Sequence, residues 1–125
     1  MIEVRPLRDK EKLAKLYVEN NIKMTENSMA VVCTDSNETI GYCLFDMLDD
    51  SVILHTLSPK EDLFLADGIL RSALHVGVEN GKMSAFYSET APIEVFDKLK
   101  FIKNAEKREL NVDKLFSSCK NCENT

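Results

Sequence analysis

Acid–base chemistry in this sequence could be carried by His55, Tyr87 and Glu89. His55 lies in an apolar run, Val52–Leu57, and a histidine can gain or lose a proton near neutral pH. Tyr87 ends a second apolar run, Met83–Tyr87, and could donate a proton, whereas Glu89 could act as a base through water. The ordinary alternatives are a packed histidine, a core tyrosine with its hydroxyl at the rim, and a plain loop carboxylate.

Cysteine offers a second kind of chemistry, since the chain has 4 of these residues. Cys119 and Cys122 have C-x-x-C spacing, which is typical of a redox pair or of half a zinc site. Cys33 and Cys43 flank a hairpin turn and could be neighbours across it. No histidine or aspartate stands at a fitting spacing, so we predict no metal site and keep a thiol or zinc protein as a minor alternative. The ordinary core of such a chain favours reduced thiols.

Two groups of charged residues are interpreted as solvated surface. Asp46, Asp49 and Asp50 resemble a metal cluster, but a hairpin turn is predicted there, and aspartate is favoured in turns for local hydrogen bonding. A basic run from Lys98 to Arg108 could meet a phosphate group, although a solvated face is the commoner role. Neither group is predicted to be a binding site.

A strand–helix–strand unit must position the acid–base candidates. Val52–Leu57 and Met83–Tyr87 have the pattern of buried strands, and Ser58–Gly81 has one apolar stripe at helical spacing. Strands joined by a crossover helix are normally parallel, and ligands gather where such a strand ends and the helix begins. The loop between Leu57 and Leu65 is therefore the predicted binding loop.

The same loop also has the pattern of a capping box. In Ser58-Pro59-Lys60-Glu61 the serine would cap the helix, the proline would take the first helical position, and the glutamate would follow at the third. Glu61 and Asp62 would then complement the helix dipole themselves. An internally satisfied helix start thus competes with an open phosphate-binding loop.

The remaining elements complete an α+β layout. We predict the order β-α-β-β-β-α-β-α-β, a mixed sheet with helices on both faces and an antiparallel meander of strands two to four. Outside the central unit the predicted elements are a first strand near Ile2–Val4, a helix after Asp9, strands Met29–Thr34 and Thr39–Leu48, a helix from Pro92 to Phe101, and a last strand Glu106–Val112. Residues 1–116 are expected to form a single domain, and residues 117–125 a polar tail for which disorder is left open.

Composition narrows the class of partner. The chain has 125 residues, 44% of them hydrophobic, and a net charge of −5, as in an ordinary globular domain. The acidic balance argues against nucleic acid and anionic membranes as partners. No apolar run approaches a bilayer span, and the N-terminus lacks the pattern of a secretory signal, so we expect a cytoplasmic protein.

The order of elements, together with local sequences, resembles the GNAT superfamily of acyl-CoA-dependent N-acyltransferases. The resemblance rests on Ile2–Leu7, on Thr39–Tyr42, on the crossover from Val52 to Gly81, and on Ala91–Phe101, which looks like the A-x-x-x-Y-x-K-x-G-F pattern of the last helix of the family. It covers nearly the whole chain. It implies acetyl-CoA as cofactor, lying between the fourth and fifth strands, with its pyrophosphate on the loop that opens the long helix.

That resemblance implies a set of cofactor-binding residues: Leu57, Ser58, Phe64, Leu65, Ala66 and Asp67. On the Q/R-x-x-G-x-G/A pattern of the family fall Glu61, Phe64 and Ala66, of which only Ala66 conforms. The tyrosine that often serves as the acid in the last helix aligns with Phe96, which cannot give a proton.

Two functions follow from the sequence. The first is an acetyl-CoA-dependent N-acetyltransferase that acts on a small-molecule or protein amine, with His55 as base, Tyr87 as acid and Glu89 as an alternative base through water. The second is a catalytically inactive GNAT-fold binding or interaction protein. Because the usual second helix is missing, the acceptor site would be open or completed by a partner subunit, and a homodimer is one alternative.

Overall fold

The computed structural model describes residues 1–116 and shows them arranged around one mixed sheet. The helices and strands are β1 (Ile2–Pro6), α1 (Lys10–Glu19), β2 (Ser28–Asp35), β3 (Glu38–Met47), β4 (Ser51–Ser58), α2 (Leu63–Glu79), β5 (Ser84–Tyr87), α3 (Ile93–Lys98), β6 (Ile102–Asn104) and β7 (Glu109–Leu110). The sheet order is β1-β2-β3-β4-β5-β7-β6. The pair β4–β5 is parallel and the other pairs are antiparallel, which confirms the meander and the crossover.

Helices cover both faces of this sheet, as the α+β prediction required. On one face, α1 packs Leu13 and Tyr17 against Ala30 and Leu44. On the other face, α2 and α3 pack against alternate strand residues, such as Phe45. Successive residues of β2 and β3 therefore serve different layers, because side chains alternate across a strand. Within residues 1–116, no helix is long and apolar enough to cross a membrane.

The predicted capping box is wrong. Ser58 is the last residue of β4, where it lies opposite Tyr42 of β3, and α2 begins only at Leu63. The N-cap is Asp62, whose carboxylate accepts a hydrogen bond from the Leu65 amide at 3.1 Å. Pairing with β3 holds Ser58 in the sheet, so the first residue with a free capping side chain at the right distance is Asp62.

The single last strand, predicted at Glu106–Val112, is also wrong. Two short strands follow α3, namely β6 and β7, and they pair antiparallel with each other. Much of the charged segment that the prediction included forms the turn between them, where Arg108 has a positive φ of 55°. Strands of 3 and 2 residues are too short to show an alternating pattern of side chains.

Candidate active site

Strands β4 and β5 separate near the middle of β4, and this opening forms the candidate site. Their parallel pairing runs from Ser51 opposite Ser84 to Leu54 opposite Tyr87. The Ser88 amide then donates to the Leu54 carbonyl at 2.9 Å. Beyond this bond β4 continues to Ser58, and in the described chain its pairing there is with β3 alone. Within residues 1–116, the backbone of residues 56–58 therefore has no strand partner on the side that faces away from β3.

A β-bulge places His55 at the start of this opening. Thr56 lies opposite Leu44 and Leu54 lies opposite Phe45, so His55 is the extra residue on β4. The Thr90 hydroxyl donates to the His55 carbonyl at 2.8 Å, which ties the bulge to the segment that follows β5. Bulges re-aim side chains and are enriched next to active sites.

The His55 ring is held between a carboxylate and a hydroxyl. Its Nε2 lies 3.3 Å from Asp46 Oδ2, and its Nδ1 lies 3.2 Å from Ser88 Oγ. The His55 and Asp46 side chains are only 16% and 13% exposed. The contact to Asp46 lacks the alignment of a hydrogen bond and acts as an ion pair when the ring is protonated. The other carboxylate oxygen accepts from the Ser28 hydroxyl at 2.8 Å.

The number of hydroxyl hydrogens available on Ser88 and Thr90 places the proton of the His55 ring on Nδ1. Thr90 uses its only hydroxyl hydrogen on the His55 carbonyl, so at its 2.8 Å contact with Ser88 it must accept. Ser88 therefore donates to Thr90 and accepts from His55 Nδ1–H. The ring thus directs a donor toward Ser88, which is one of the residues that line the cleft.

The three predicted catalytic residues line one cleft of about 540 Å³. Its walls are formed by Ile22, Ile53, His55, Phe86, Tyr87, Ser88, Glu89, Thr90, Lys107 and Arg108. The cleft therefore gathers residues of β4, of β5 and of the following loop, and among them the Tyr87 hydroxyl is buried.

Tyr87 and Glu89 occupy opposite extremes of exposure in this cleft. Tyr87 is 3% exposed, packs against Phe96 with ring centroids 5.3 Å apart, and within residues 1–116 its hydroxyl has no hydrogen-bond partner. Phe96 is itself fully buried, so it keeps the packing of the aromatic position without a hydroxyl. The Glu89 side chain is 82% exposed, and its Oε1 lies 3.6 Å from Arg108 Nη2.

The six predicted cofactor-binding residues lie at the end of β4 and the start of α2, and none of them lines the cleft. Leu57 and Ala66 are fully buried in the core. Phe64 is 88% exposed, and Asp67 pairs with Arg71 at 3.0 Å. Ser58 and Leu65 are half-buried.

The residues fit the two ends of a coenzyme A thioester unequally. Beyond Leu54 and Tyr87, β4 no longer pairs with β5, so the backbone groups of residues 56–58 on that side could bond to an extended chain. The start of α2 does not fit a diphosphate, because the Asp62 carboxylate already caps the helix and Phe64 replaces a small residue.

Sequence reasoning missed Asp46, Ser88 and Thr90. The interpretation of Asp46 as part of a solvated turn is wrong, because it lies in β3 opposite Ile53. The acidic turn at Asp49-Asp50 was a usable signal: extending the hairpin from it puts Asp46 diagonally across from His55. Ser88 and Thr90 carried no signal, since only the bulge brings them to the histidine.

The cysteines form no site in the described part of the chain. Cys33 lies opposite Gly41 and Cys43 opposite Val31, so they are not directly paired across the hairpin, and both are buried free thiols. Burial raises the pKa of the Cys43 thiol, which keeps it protonated and inert. Residues 1–116 contain no cluster that could hold a metal ion. Cys119 and Cys122 lie outside the described residues.

Solved structures with a similar architecture come from acetyltransferases and a toxin. Ribosomal-protein-S18-alanine N-acetyltransferase from Escherichia coli is 13% identical, with 87% of this chain and 88% of that chain covered and a TM-score of 0.57. A mutant of the toxin AtaT, bound to the C-terminus of the antitoxin AtaR, is 15% identical, with coverage of 93% and 97% and a TM-score of 0.56. A protein described as a GNAT-family acetyltransferase, from Desulfovibrio desulfuricans, is 13% identical, with coverage of 70% and 72% and a TM-score of 0.52.

Comparison of the sequence itself finds no matching family model and no match among curated proteins. The structural likeness nevertheless spans most of both chains. The fold is therefore that of the GNAT acetyltransferases, as the sequence resemblance predicted.

Proposed function

We propose, starting from this GNAT fold, that the protein is an N-acetyltransferase that moves an acetyl group from acetyl-CoA to an amine, either a small molecule or a protein amine. The observation that carries the proposal is His55. A bulge in β4 sets it at the opening between β4 and β5, and Asp46 and Ser88 hold its two ring nitrogens. A titratable ring held in this way at a ligand-accessible opening suits proton transfer better than packing.

Acyl transfer needs one proton removed and one supplied. When bound, the thioester supplies an activated acyl carbon, and attack by the amine forms the C–N bond and breaks the C–S bond. The exposed Glu89 carboxylate takes the amine proton through water. The His55 ring, when protonated and paired with Asp46, is the acid for the leaving thiolate: Ser88 takes the proton from Nδ1 and passes its own hydroxyl hydrogen to the sulfur, for which that hydroxyl must turn away from Thr90. This assigns His55 the role of acid rather than base.

Tyr87 is the second proton donor in this proposal. Its hydroxyl is buried and has no hydrogen-bond partner within residues 1–116, and Tyr87 is one of the residues that line the cleft. A buried hydroxyl without a partner is unfavourable, so such groups often mark a function. Binding of a substrate would satisfy it.

The test is transfer of acetyl groups to a panel of amines, followed by mass spectrometry of the product. His55→Gln is expected to lower kcat by about 10²–10⁴-fold, the range of a lost acid or base. His75→Gln is the matched control, because His75 is exposed on α2 and lies away from the cleft. Equal activity of the two variants would remove His55 from the mechanism.

A second candidate is a GNAT-fold binding protein without transferase activity. It is favoured by the Asp62 cap at the start of α2 and by the lack of a hydroxyl at Phe96. Titration with acetyl-CoA separates the two candidates, since a ligand that binds the native state must raise the melting temperature. No heat and no thermal shift at millimolar acetyl-CoA would favour the binding protein.

A further inference from the structure

The first turn of α2 carries its own anion. The Asp62 carboxylate accepts from the Leu65 amide at 3.1 Å, and the Asp62 carbonyl accepts from the Ala66 amide at 2.9 Å. A carboxylate at this position interacts favourably with the positive end of the helix dipole. The charge that a helix start usually offers to a phosphate is therefore already neutralised within the chain.

The residues before and after Asp62 add to this obstacle. Pro59 has no amide hydrogen to donate. Lys60 supplies one positive charge, whereas Glu61 and Asp62 supply two negative charges. In the first turn of the helix the Phe64 side chain is 88% exposed, where a glycine would let phosphate approach the backbone. A diphosphate would thus meet negative charge and a bulky ring.

The opening between β4 and β5 differs from the start of α2 in the groups that border it, which include strand backbone and uncharged side chains. It begins where the Ser88 amide bonds to Leu54 and Thr90 bonds to the His55 carbonyl, and β4 then continues for residues 56–58 with strand pairing to β3 on one side only. The adjoining cleft is lined by Ser88 and Thr90 beside the apolar Ile53 and Phe86. An extended chain with amide groups can pair with such a strand. This is the chemistry of a pantetheine arm.

We infer that this protein recognises its acyl donor through the pantetheine thioester arm alone and leaves the nucleotide diphosphate without a protein partner. The inference rests on the proposed acyl transfer and names its donor class: acyl-pantetheine thioesters, with acyl-CoA as one member. The amine nitrogen forms a bond to the acyl carbon, the C–S bond breaks, and the thiolate of the free pantetheine arm takes a proton.

The test compares acetyl-CoA with S-acetyl-pantetheine by calorimetry on the full-length protein at low and at high salt. We expect the two affinities to agree within about threefold and to change little with salt, because a bound diphosphate would add about tenfold or more and would be screened by salt. An acetyl-CoA affinity at least about tenfold higher than that of S-acetyl-pantetheine would overturn the inference and leave the proposed function intact. Absence of binding by both donors would overturn both.

Asp62→Asn isolates the carboxylate, because asparagine caps helices about as well as aspartate. Removing the repulsion is expected to raise the affinity for acetyl-CoA by about twofold to threefold and to leave S-acetyl-pantetheine unchanged. Asp9→Asn makes the same change at the N-cap of α1 and should alter neither. An Asp62→Asn variant that binds both donors as the wild type does would contradict the role given to this carboxylate.

Discussion

At the scale of single residues, the site is recognisable by what its side chains contact rather than by their types. From the sequence alone, the His55 ring could either pack in the structure without a role or take part in proton transfer. The contacts to Asp46 and Ser88 favour the second role. Each contact comes from a different strand or loop. The proton direction then follows from the single hydroxyl hydrogen of Thr90. No residue taken alone would have given it.

Substitution of Tyr87 is expected to change stability and activity in opposite directions. Its buried hydroxyl has no partner in the described chain, so Tyr87→Phe should raise the free energy of unfolding by about 1–3 kcal/mol, the cost of an unsatisfied buried group. The same change should lower kcat, because the hydroxyl is proposed to act on the substrate. Urea unfolding and steady-state kinetics measure the two effects.

Tyr42→Phe is the matched control for this prediction. The Tyr42 hydroxyl accepts from the Asn20 side chain at 3.2 Å and does not line the cleft, so its loss should destabilise the fold without a change in kcat. If Tyr87→Phe is destabilising to the same extent as Tyr42→Phe, the hydroxyl of Tyr87 has a structural partner and the argument fails.

At the scale of elements, the long apolar patterns were predictable and the ends of elements were not. The periodicity of α2 and the apolar runs of β2 to β5 gave the order and the faces, because burial dictates them over many residues. The start of α2 depends on how far β4 pairs with β3, and the bulge at His55 depends on the same ladder. Such features arise from contacts between strands, which a local pattern does not encode.

Two glycines in different elements should respond oppositely to alanine. A Cβ on Gly41 of β3 would lie 2.7 Å from the Ser58 carbonyl oxygen and 2.6 Å from Ile69 Cδ1, so Gly41→Ala should destabilise by about 1–3 kcal/mol. A Cβ on Gly68 of α2 would meet nothing within 4 Å, so Gly68→Ala should stabilise by about 0.8–1 kcal/mol. Thermal unfolding of both variants measures the signs, and a neutral Gly41→Ala would show that β3 and α2 can move apart.

Tyr17 joins α1 to the sheet in a way that should depend on pH. Its hydroxyl lies 2.8 Å from the Met29 carbonyl oxygen and 3.0 Å from that of Phe45, and burial raises the pKa of the phenol. Folding then favours the protonated form, so this stability is complete below the unfolded pKa of about 10 and is lost as pH rises above it.

Tyr17→Phe tests this linkage. At pH 7 the variant should be less stable by about 1 kcal/mol, since it loses a buried hydrogen bond. Above about pH 10 the difference should shrink, because only the wild type loses stability through this group. Urea unfolding at a neutral and an alkaline pH gives both values, and a difference that stays constant with pH would mean that the phenol is not held protonated by the fold.

At the scale of the whole molecule, one sheet connects the candidate catalytic cleft to the start of α2. Strand β4 is shared by both, since it carries His55 in its bulge and leads into the Asp62 cap. Residues of β4 also reach the core beneath α2, where Leu54 and Leu57 are fully buried. A substitution at one end of β4 is therefore expected to lower the stability of the whole sheet through its packing.

We predict that residues 1–116 unfold as a single cooperative unit. Leu54→Ala, in the central strand of the sheet, should cost about 2–5 kcal/mol and lower the midpoint of every probe together. Far-UV circular dichroism reports all elements, and tyrosine fluorescence reports both faces, because Tyr17 lies on the α1 face and Tyr87 on the α2 face. Val18→Ala, at a residue 75% exposed on α1, should shift the free energy of unfolding by less than about 0.5 kcal/mol. Separate midpoints for the two probes would show that residues 1–116 do not unfold in one cooperative step.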